Sequence, residues 1–182
     1  NIMFIEAARI LKIKHPDDVV FILVSYLPIP GKIGEMKTRP TQNAVRMLNS
    51  CGVQPDIIIA RSEMPIDQKR KEKIAISCNI DILSVISAPD IESIYDVPIN
   101  FEKDKLAIKI LKRFKLKPKP KTNEDGLTLW KNFVNKTKNF KEEIKLAVVG
   151  KYFNTGDFVL SDAYASVIEA VKISSFTEDV KG

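Results

Sequence analysis

The sequence predicts an α/β fold built on a doubly wound parallel sheet, and three observations carry that reading. Helical and extended patterns alternate along most of the chain, the extended segments are short continuous apolar runs, and each run ends in polar residues that open the next helix. Strands that are apolar without alternation belong to sheets covered by helices on both faces. All-β and helical-bundle architectures fit this order less well.

Residues 2–12 carry Ile2, Ile5, Ala8 and Leu11 at helical spacing, and the polar segment from Lys14 to Asp18 ends that helix. Val19 to Leu27 is then long and β-branched enough for a strand buried on both faces. After the loop from Gly31 to Gln42, Ala44, Val45, Leu48 and Cys51 share a helical face, and Gly52 stands where a left-handed C-terminal cap belongs. Ile57 to Ala60 is a second buried strand, with Arg61 and Ser62 at its end. Asp67 to Asn79 reads as a strongly basic helix turning Ile74, Ala75 and Cys78 to the core. Val85 to Ser87 is a third, short strand, and Ala88 to Ile91 turns into another helical segment. Pro98 to Phe114 holds a longer helix with Leu106, Ile110, Leu111 and Phe114 as its buried stripe.

Lys115 to Thr122 alternates lysine with proline, a composition that resists helix and sheet and suits a stiff, exposed linker. Gly126 to Phe140 is expected to be a connecting helix with Leu127, Trp130, Phe133 and Val134 on one stripe. Ile144 to Val149 is expected to be a fresh buried strand and Asp162 to Ser174 a fresh helix. The organisation is therefore a first domain over 1–116, a linker with a helix over 117–143, and the start of a second domain over 144–182.

At 182 residues and 45% hydrophobic content the chain can bury a core. Its net charge of +6 favours anionic partners, but the charge is spread along the sequence and no nucleic-acid recognition motif accompanies it. The apolar run from Val19 to Pro30 is too short for a membrane span. The start lacks a basic leader and cleavage site, so a cytoplasmic protein is expected. Because Asn1 falls within a helical pattern, the chain reads as a piece of something longer. Cys51 and Cys78 lie near helix ends and suit reduced core thiols, while His15 beside Pro16 suits a surface turn. Two thiols and one histidine so placed define no metal site.

The loop from Gly31 to Gln42 carries the most suggestive chemistry. Lys32, Lys37 and Arg39 supply cations, Thr38 and Thr41 supply hydroxyls, and the following helix supplies unpaired N–H groups. Open α/β sheets place ligands at this position, outside the carboxyl end of a strand, and phosphate is the first ligand to consider. The ordinary explanation is an exposed basic loop in which Pro40 starts a helix with Thr38 or Arg39 near its cap. The loop is not a P-loop, since Tyr26 occupies the position of that motif's first glycine and Ile33 follows Lys32. Arg61 and Asp90 stand at the ends of the other two strands, on the same edge as Lys37. Read alone, Lys73 is a solvated charge within the run Lys69 to Lys73, Asp90 a helix N-cap, and Arg61 an ion-pair partner.

Read together, the words have an order. KTRPTQ from Lys37 to Gln42, QPDI from Gln54, Arg61 with Ser62, Lys73 to Ala75 with Cys78 and Asn79, Val85 to Ser87, and Asp90 with Ile94 and Tyr95 are followed by VGKY from Val149, Asp162 to Tyr164, and Ser166 to Ala170. This succession resembles the CTP synthases, glutamine-dependent amidoligases that convert UTP to CTP. The resemblance runs from about Phe4 to the end and is thin between Lys115 and Glu143.

The resemblance implies a P-loop-type amidoligase domain, incomplete here, a linker, and the first strand–helix unit of a class I glutaminase domain. It implies that Lys37, Thr38, Arg39, Pro40, Thr41, Gln42 and Lys73 contact the triphosphate of UTP, or of CTP as inhibitor. It also implies that Pro89, Asp90 and Ile91 lie against the ATP adenine, with Arg61 helping to position ATP. Arg39 stands where many relatives have lysine, and the segment from Asn154 to Phe158 departs from the usual short connection. ATP with magnesium, glutamine, GTP as allosteric effector and a homotetrameric assembly are further implications. The P-loop and the metal-binding acids precede the region that matches Phe4 in these enzymes, and the glutaminase triad lies beyond the region that matches Gly182. None of the residues present is therefore expected to perform a covalent step, and the isolated segment is expected not to make CTP. A noncatalytic nucleotide-binding or assembly module derived from an amidoligase is the alternative.

Overall fold

Three β-branched runs pair in parallel to form the central layer of a computed structural model, which describes residues 2–31, 34–118, 126–139, 142–151, 154–155, 158–159, 164–177 and 180–181. The expectations for Lys32, for the end of the linker at 119–122, for the middle of the 154–158 segment and for Asp162 lie outside the described residues. The chain divides into two units, Asn1–Pro120 and Lys121–Gly182.

In the first unit, helix α1 (Ile2–Lys14) leads to strand β1 (Ile22–Tyr26), α2 (Arg39–Ser50), β2 (Ile57–Ser62), α3 (Gln68–Cys78), β3 (Val85–Pro89), α4 (Val97–Lys103) and α5 (Leu106–Arg113). The sheet order is β1-β2-β3, every pair parallel, with Leu23 opposite Ile58 and Ile58 opposite Val85. Asp56 sets the first register, because its carboxylate accepts from the Phe21 amide at 2.9 Å while its own amide donates to the Phe21 carbonyl at 2.8 Å.

Alternation along each strand divides the core in two. Leu23, Ile58, Ala60 and Val85 face α2 and α3, where they pack with Val45, Ile74, Ala75 and Cys78. Ile57, Ile59 and Ile86 face the other way, against Phe101, Leu106 and Ile110. Helices thus cover both faces of β2 and β3, as a doubly wound fold requires. Burial pushes the Cys78 thiol up from its ordinary pKa, so it remains a protonated core thiol.

The two helices on the first face end as their sequences direct. In α2 the chain closes on Cys51 and turns through Gly52 at φ +74°, a left-handed conformation that disfavours any side chain. In α3, Asp67 caps the first turn by accepting from the Arg70 amide at 2.7 Å, and Asn79 closes the other end in the left-handed region at φ 52°.

Three expectations need correction. Val19 to Leu27 is not a strand buried on both faces: β1 is shorter and lies at the sheet edge, with Ile22, Val24 and Tyr26 exposed because α4 and α5 reach only β2 and β3. The single long helix over Pro98 to Phe114 is two, broken where Lys105 adopts a left-handed backbone at φ 54°, and of its expected stripe Leu106 is buried while Ile110, Leu111 and Phe114 are only partly so. Ile144 to Val149 forms no strand; Ile144, Leu146, Val148 and Val149 are exposed, and the segment has no ladder to satisfy its backbone groups.

The second unit contains α6 (Gly126–Lys136), β4 (Glu142–Glu143), β5 (Asn154–Thr155), β6 (Phe158–Val159), α7 (Ala165–Thr177) and β7 (Val180–Lys181). β4 pairs parallel with β7, and β5 pairs antiparallel with β6. Phe133 packs on Trp130 at 5.4 Å and meets Phe176 edge-on at 6.0 Å between ring centroids.

The two faces of α3 allow a direct check. Ile74 is fully buried whereas Ile76, two residues on, is 83% exposed. Ile74→Ala is expected to lower unfolding free energy by about 2–5 kcal/mol in urea titrations, and Ile76→Ala by no more than about 0.5 kcal/mol.

Candidate functional site

All three strands of the first unit run in one direction, so their carboxyl ends meet at one edge. There the connections are tied to one another. The Leu27 amide donates to the Arg61 carbonyl at 2.7 Å, the Asp90 amide to the Ser62 carbonyl at 2.8 Å, and the Lys37 amide to the Pro28 carbonyl at 2.9 Å. Lys37, Arg61 and Asp90 therefore occupy a single edge, as the sequence predicts.

The loop between β1 and α2 is anchored from below. Gly34, at φ +64°, permits the turn that its amide closes on the Pro30 carbonyl at 3.0 Å. Met36 is buried in the core that α2 and α3 share with the sheet. Thr41, completely buried, shares a 2.8 Å hydrogen bond with the hydroxyl of Ser25 on β1. Thr38 is buried too, and its hydroxyl accepts from the Gln42 side chain at 3.2 Å. The hydroxyls and the amide of KTRPTQ thus brace the loop from within, while Arg39 and Pro40 stay exposed. Thr38 is the N-cap of α2 without placing its side chain on the first-turn amides, so the positive end of the helix dipole is left uncompensated by a cap.

The basic helix α3 comes to the same place. Arg70 pairs with Asp67 and extends its Nε to the Met36 carbonyl, at 3.5 Å. Lys37 Nζ donates to Glu35 Oε2 at 2.6 Å. The Glu35 carboxyl is held below its ordinary pKa first by this bond and by the charge of Lys37, then by the charges of Arg70 and Lys73. Lys37 and Lys73, 36 positions apart, therefore act on one point in space. The sequence reading names Lys37 and Lys73 and leaves out Arg70 and Glu35, which the structure sets beside them. The signals were there: Arg70 is three residues past an N-cap aspartate, and Glu35 is two residues before Lys37, near enough along the chain for an ion pair.

On the opposite face lies a cleft of about 620 Å³, within the range of small-molecule sites. Val24, Ile59 and Ala88 form its floor, and Ile91, Ile94, Val97 and Phe101 its apolar walls. Pro89, Asp90 and Ile91, singled out for the adenine, and Arg61, singled out for positioning ATP, all line it. Arg61 Nη2 donates to Asp90 Oδ1 at 2.9 Å, with both side chains about half exposed, so the pair adds little stability and stays open to a ligand. Asp90 is thus an ion-pair partner; Ser93 caps the next helical turn. Asn100, buried at the cleft wall, donates to the Ser87 carbonyl at 3.3 Å.

Asp104 links the two faces. One carboxylate oxygen accepts from Lys71 Nζ on α3 at 2.8 Å and the other from the Ser87 amide on the free edge of β3 at 2.7 Å. Burial alone raises the Asp104 pKa, but the hydrogen bonds from Lys71 and Ser87 and the charge of Lys71 outweigh it and leave the group below its ordinary value. Among the described residues no three His, Cys, Asp or Glu side chains gather as a metal site, and no helix is long and apolar enough to cross a membrane.

A parallel sheet wound on both faces, with a basic loop and an apolar cleft at the carboxyl ends of its strands, defines an α/β domain of the doubly wound class, and that edge is where such sheets place ligands. Residues 1–116 match the family described as CTP synthase N-terminus. CTP synthases of Caldanaerobacter subterraneus subsp. tengcongensis and Methanocaldococcus jannaschii are each 40% identical to this chain, over 94% and 100% of its length. That of Listeria monocytogenes is 36% identical over 100% of it. The chain belongs to the CTP synthase family. It spans about a third of the length of these curated relatives, 30% to 32%.

A depressed carboxyl pKa stabilises the fold fully above the ordinary aspartate range, near about pH 4, and the contribution is lost as pH falls through the depressed value. Asp104→Asn is accordingly expected to flatten the acid limb of the stability–pH curve below about pH 4, measured by urea denaturation at a series of pH values. An unchanged acid limb would remove Asp104 from the linkage between α3 and β3.

Proposed function

We propose that this chain forms the nucleotide-binding portion of the synthase half of a CTP synthase, which aminates UTP to CTP at the expense of ATP with ammonia taken from glutamine. The observation that carries the reading is the pair of unlike sites at one strand edge: a cationic loop suited to phosphates and, across the sheet, an apolar slot suited to a flat base. A polyphosphate needs several donors and cations to offset its desolvation, and Lys37, Arg39, Lys73 and the open end of α2 can supply them. Arg39 can hold two phosphate oxygens with its planar fork, which lysine cannot. Thr38, Thr41 and Gln42 then serve chiefly by fixing the loop, and Pro40 by starting the helix at the required angle.

In the slot, the adenine of ATP would lie between Ile59 and Ile91, with the backbone of Pro89 to Ile91 reading its edge and Arg61 directed toward ribose or phosphate. The reaction is transfer of the γ-phosphoryl group of ATP to the uracil O4, then attack of ammonia at C4 with departure of phosphate. The residues here bind and orient both nucleotides and take no covalent part. On the family resemblance, the metal ligands and the phosphoryl-transfer groups are assigned to parts of the family fold that precede the region matching this chain, and no step is drawn through them.

Residues 144–182 are assigned, on the resemblance of Val149 to Tyr152 and Ser166 to Ala170, to the beginning of a glutaminase domain. The complete enzyme is proposed to be a cytoplasmic homotetramer inhibited by CTP and stimulated by GTP.

Lys37→Ala combined with Arg39→Ala in the full-length protein is expected to weaken UTP binding about tenfold or more while leaving half-saturation by glutamine unchanged. Steady-state kinetics with each substrate varied in turn would measure this. Equal losses for UTP and glutamine would contradict the assignment.

A further inference from the structure

The cationic loop holds an anion of its own. Glu35 leaves the turn at Gly34 and directs its carboxylate to Lys37 Nζ at 2.6 Å, in solvent rather than in the core. The charges of Arg70 and Lys73 act on the same carboxylate. Lys37 and Lys73 are two of the cations assigned above to the nucleotide phosphates, and Arg70 is the arginine that ties the loop to α3. The carboxylate is exposed and contacts no buried group among the described residues, so its ion pair adds little to the fold. It does lower the positive potential that an incoming anion meets.

We infer that Glu35 is a built-in competitor for the phosphate position, a tethered carboxylate that occupies Lys37 when no nucleotide is bound and has to be displaced when one binds. The inference rests on the reading of Lys37 and Lys73 as phosphate contacts. Its consequence is a specificity threshold. A ligand with one weakly charged group gains too little from Lys37 to replace a partner that is held at high local concentration with only Met36 between them in the chain. A triphosphate brings several charges and reaches other donors at the same time, so it exchanges the carboxylate for stronger contacts. Displacement moves Glu35 into water without breaking any buried interaction.

The test uses the full-length protein and calorimetric titration with UTP in the absence of ATP. Glu35→Gln keeps the side chain's length and removes its charge, and it is expected to tighten UTP binding about two- to fivefold, the range of a single exposed ion pair. Glu35→Asp keeps the charge and is expected to give no such gain. ATP binding at the cleft across the sheet is expected to be unchanged in both. Unchanged or weaker UTP binding in Glu35→Gln, with the melting temperature preserved, overturns the proposal; weaker binding would mean that the carboxylate prepares Lys37 for the ligand rather than competing with it. Lys37→Ala in the same titration separates the two levels of the account. If that variant loses UTP affinity while Glu35→Gln gains none, the competitor fails and the phosphate loop stands. If Lys37→Ala binds UTP as the parent does, the phosphate loop fails and the competitor with it.

Discussion

The register in which β2 holds its two neighbours is the constraint on which the rest depends. Tyr26, Arg61 and Ala88 stand in one row across the sheet, and everything that could touch a ligand is hung from the residues just beyond that row. A slip of one residue would exchange the faces of a strand, sending Ile58 and Ala60 away from α2 and α3 and turning Arg61 out of the cleft. The fully buried Ile57, Ile58 and Ile86 make such a slip costly, because both faces they pack on are covered and the fit of aliphatic side chains would be lost on each side at once. Core packing and ligand geometry are therefore one constraint.

The two candidate sites obey different physics. The loop before α2 gathers charge at the surface, where ionisation is cheap, and spends its buried groups on bracing: Met36 in the core, Thr41 on Ser25, Thr38 on Gln42. The cleft beside α4 gathers apolar surface and allows one half-exposed ion pair at its mouth. Between them, α3 and β3 are joined by Asp104, whose two oxygens are satisfied by groups from different elements. A sheet three strands wide thus keeps a basic loop and an apolar cleft apart while fixing their spacing, as the proposed phosphate and base positions require.

Much of this was legible in the sequence because it depends on local rules. The caps of α2 and α3 follow from Gly52, Asp67 and Asn79, and the core face of α3 from the spacing of Ile74, Ala75 and Cys78. Arg61, Pro89, Asp90 and Ile91 were found together through family words that periodicity alone could not supply, and they do share a cleft. What escaped is what depends on partners. The composition of Ile22 to Tyr26 is that of an interior strand, but burial is decided by what packs against it, and α4 and α5 do not reach that far. The helix break at Lys105 and the unpaired run from Ile144 to Val149 have no glycine or proline to announce them. Glu35 and Arg70 were hidden for a related reason: a charged side chain in a basic stretch reads as solvated until the fold gives it a neighbour.

Hydrogen–deuterium exchange of the full-length protein, with and without each nucleotide, tests the central claim most directly. UTP is expected to slow exchange at residues 36–45 and in the first turns of α3, and ATP to slow it at residues 88–101. Protection by UTP confined to segments outside this strand edge, with 36–45 unchanged, would contradict the account.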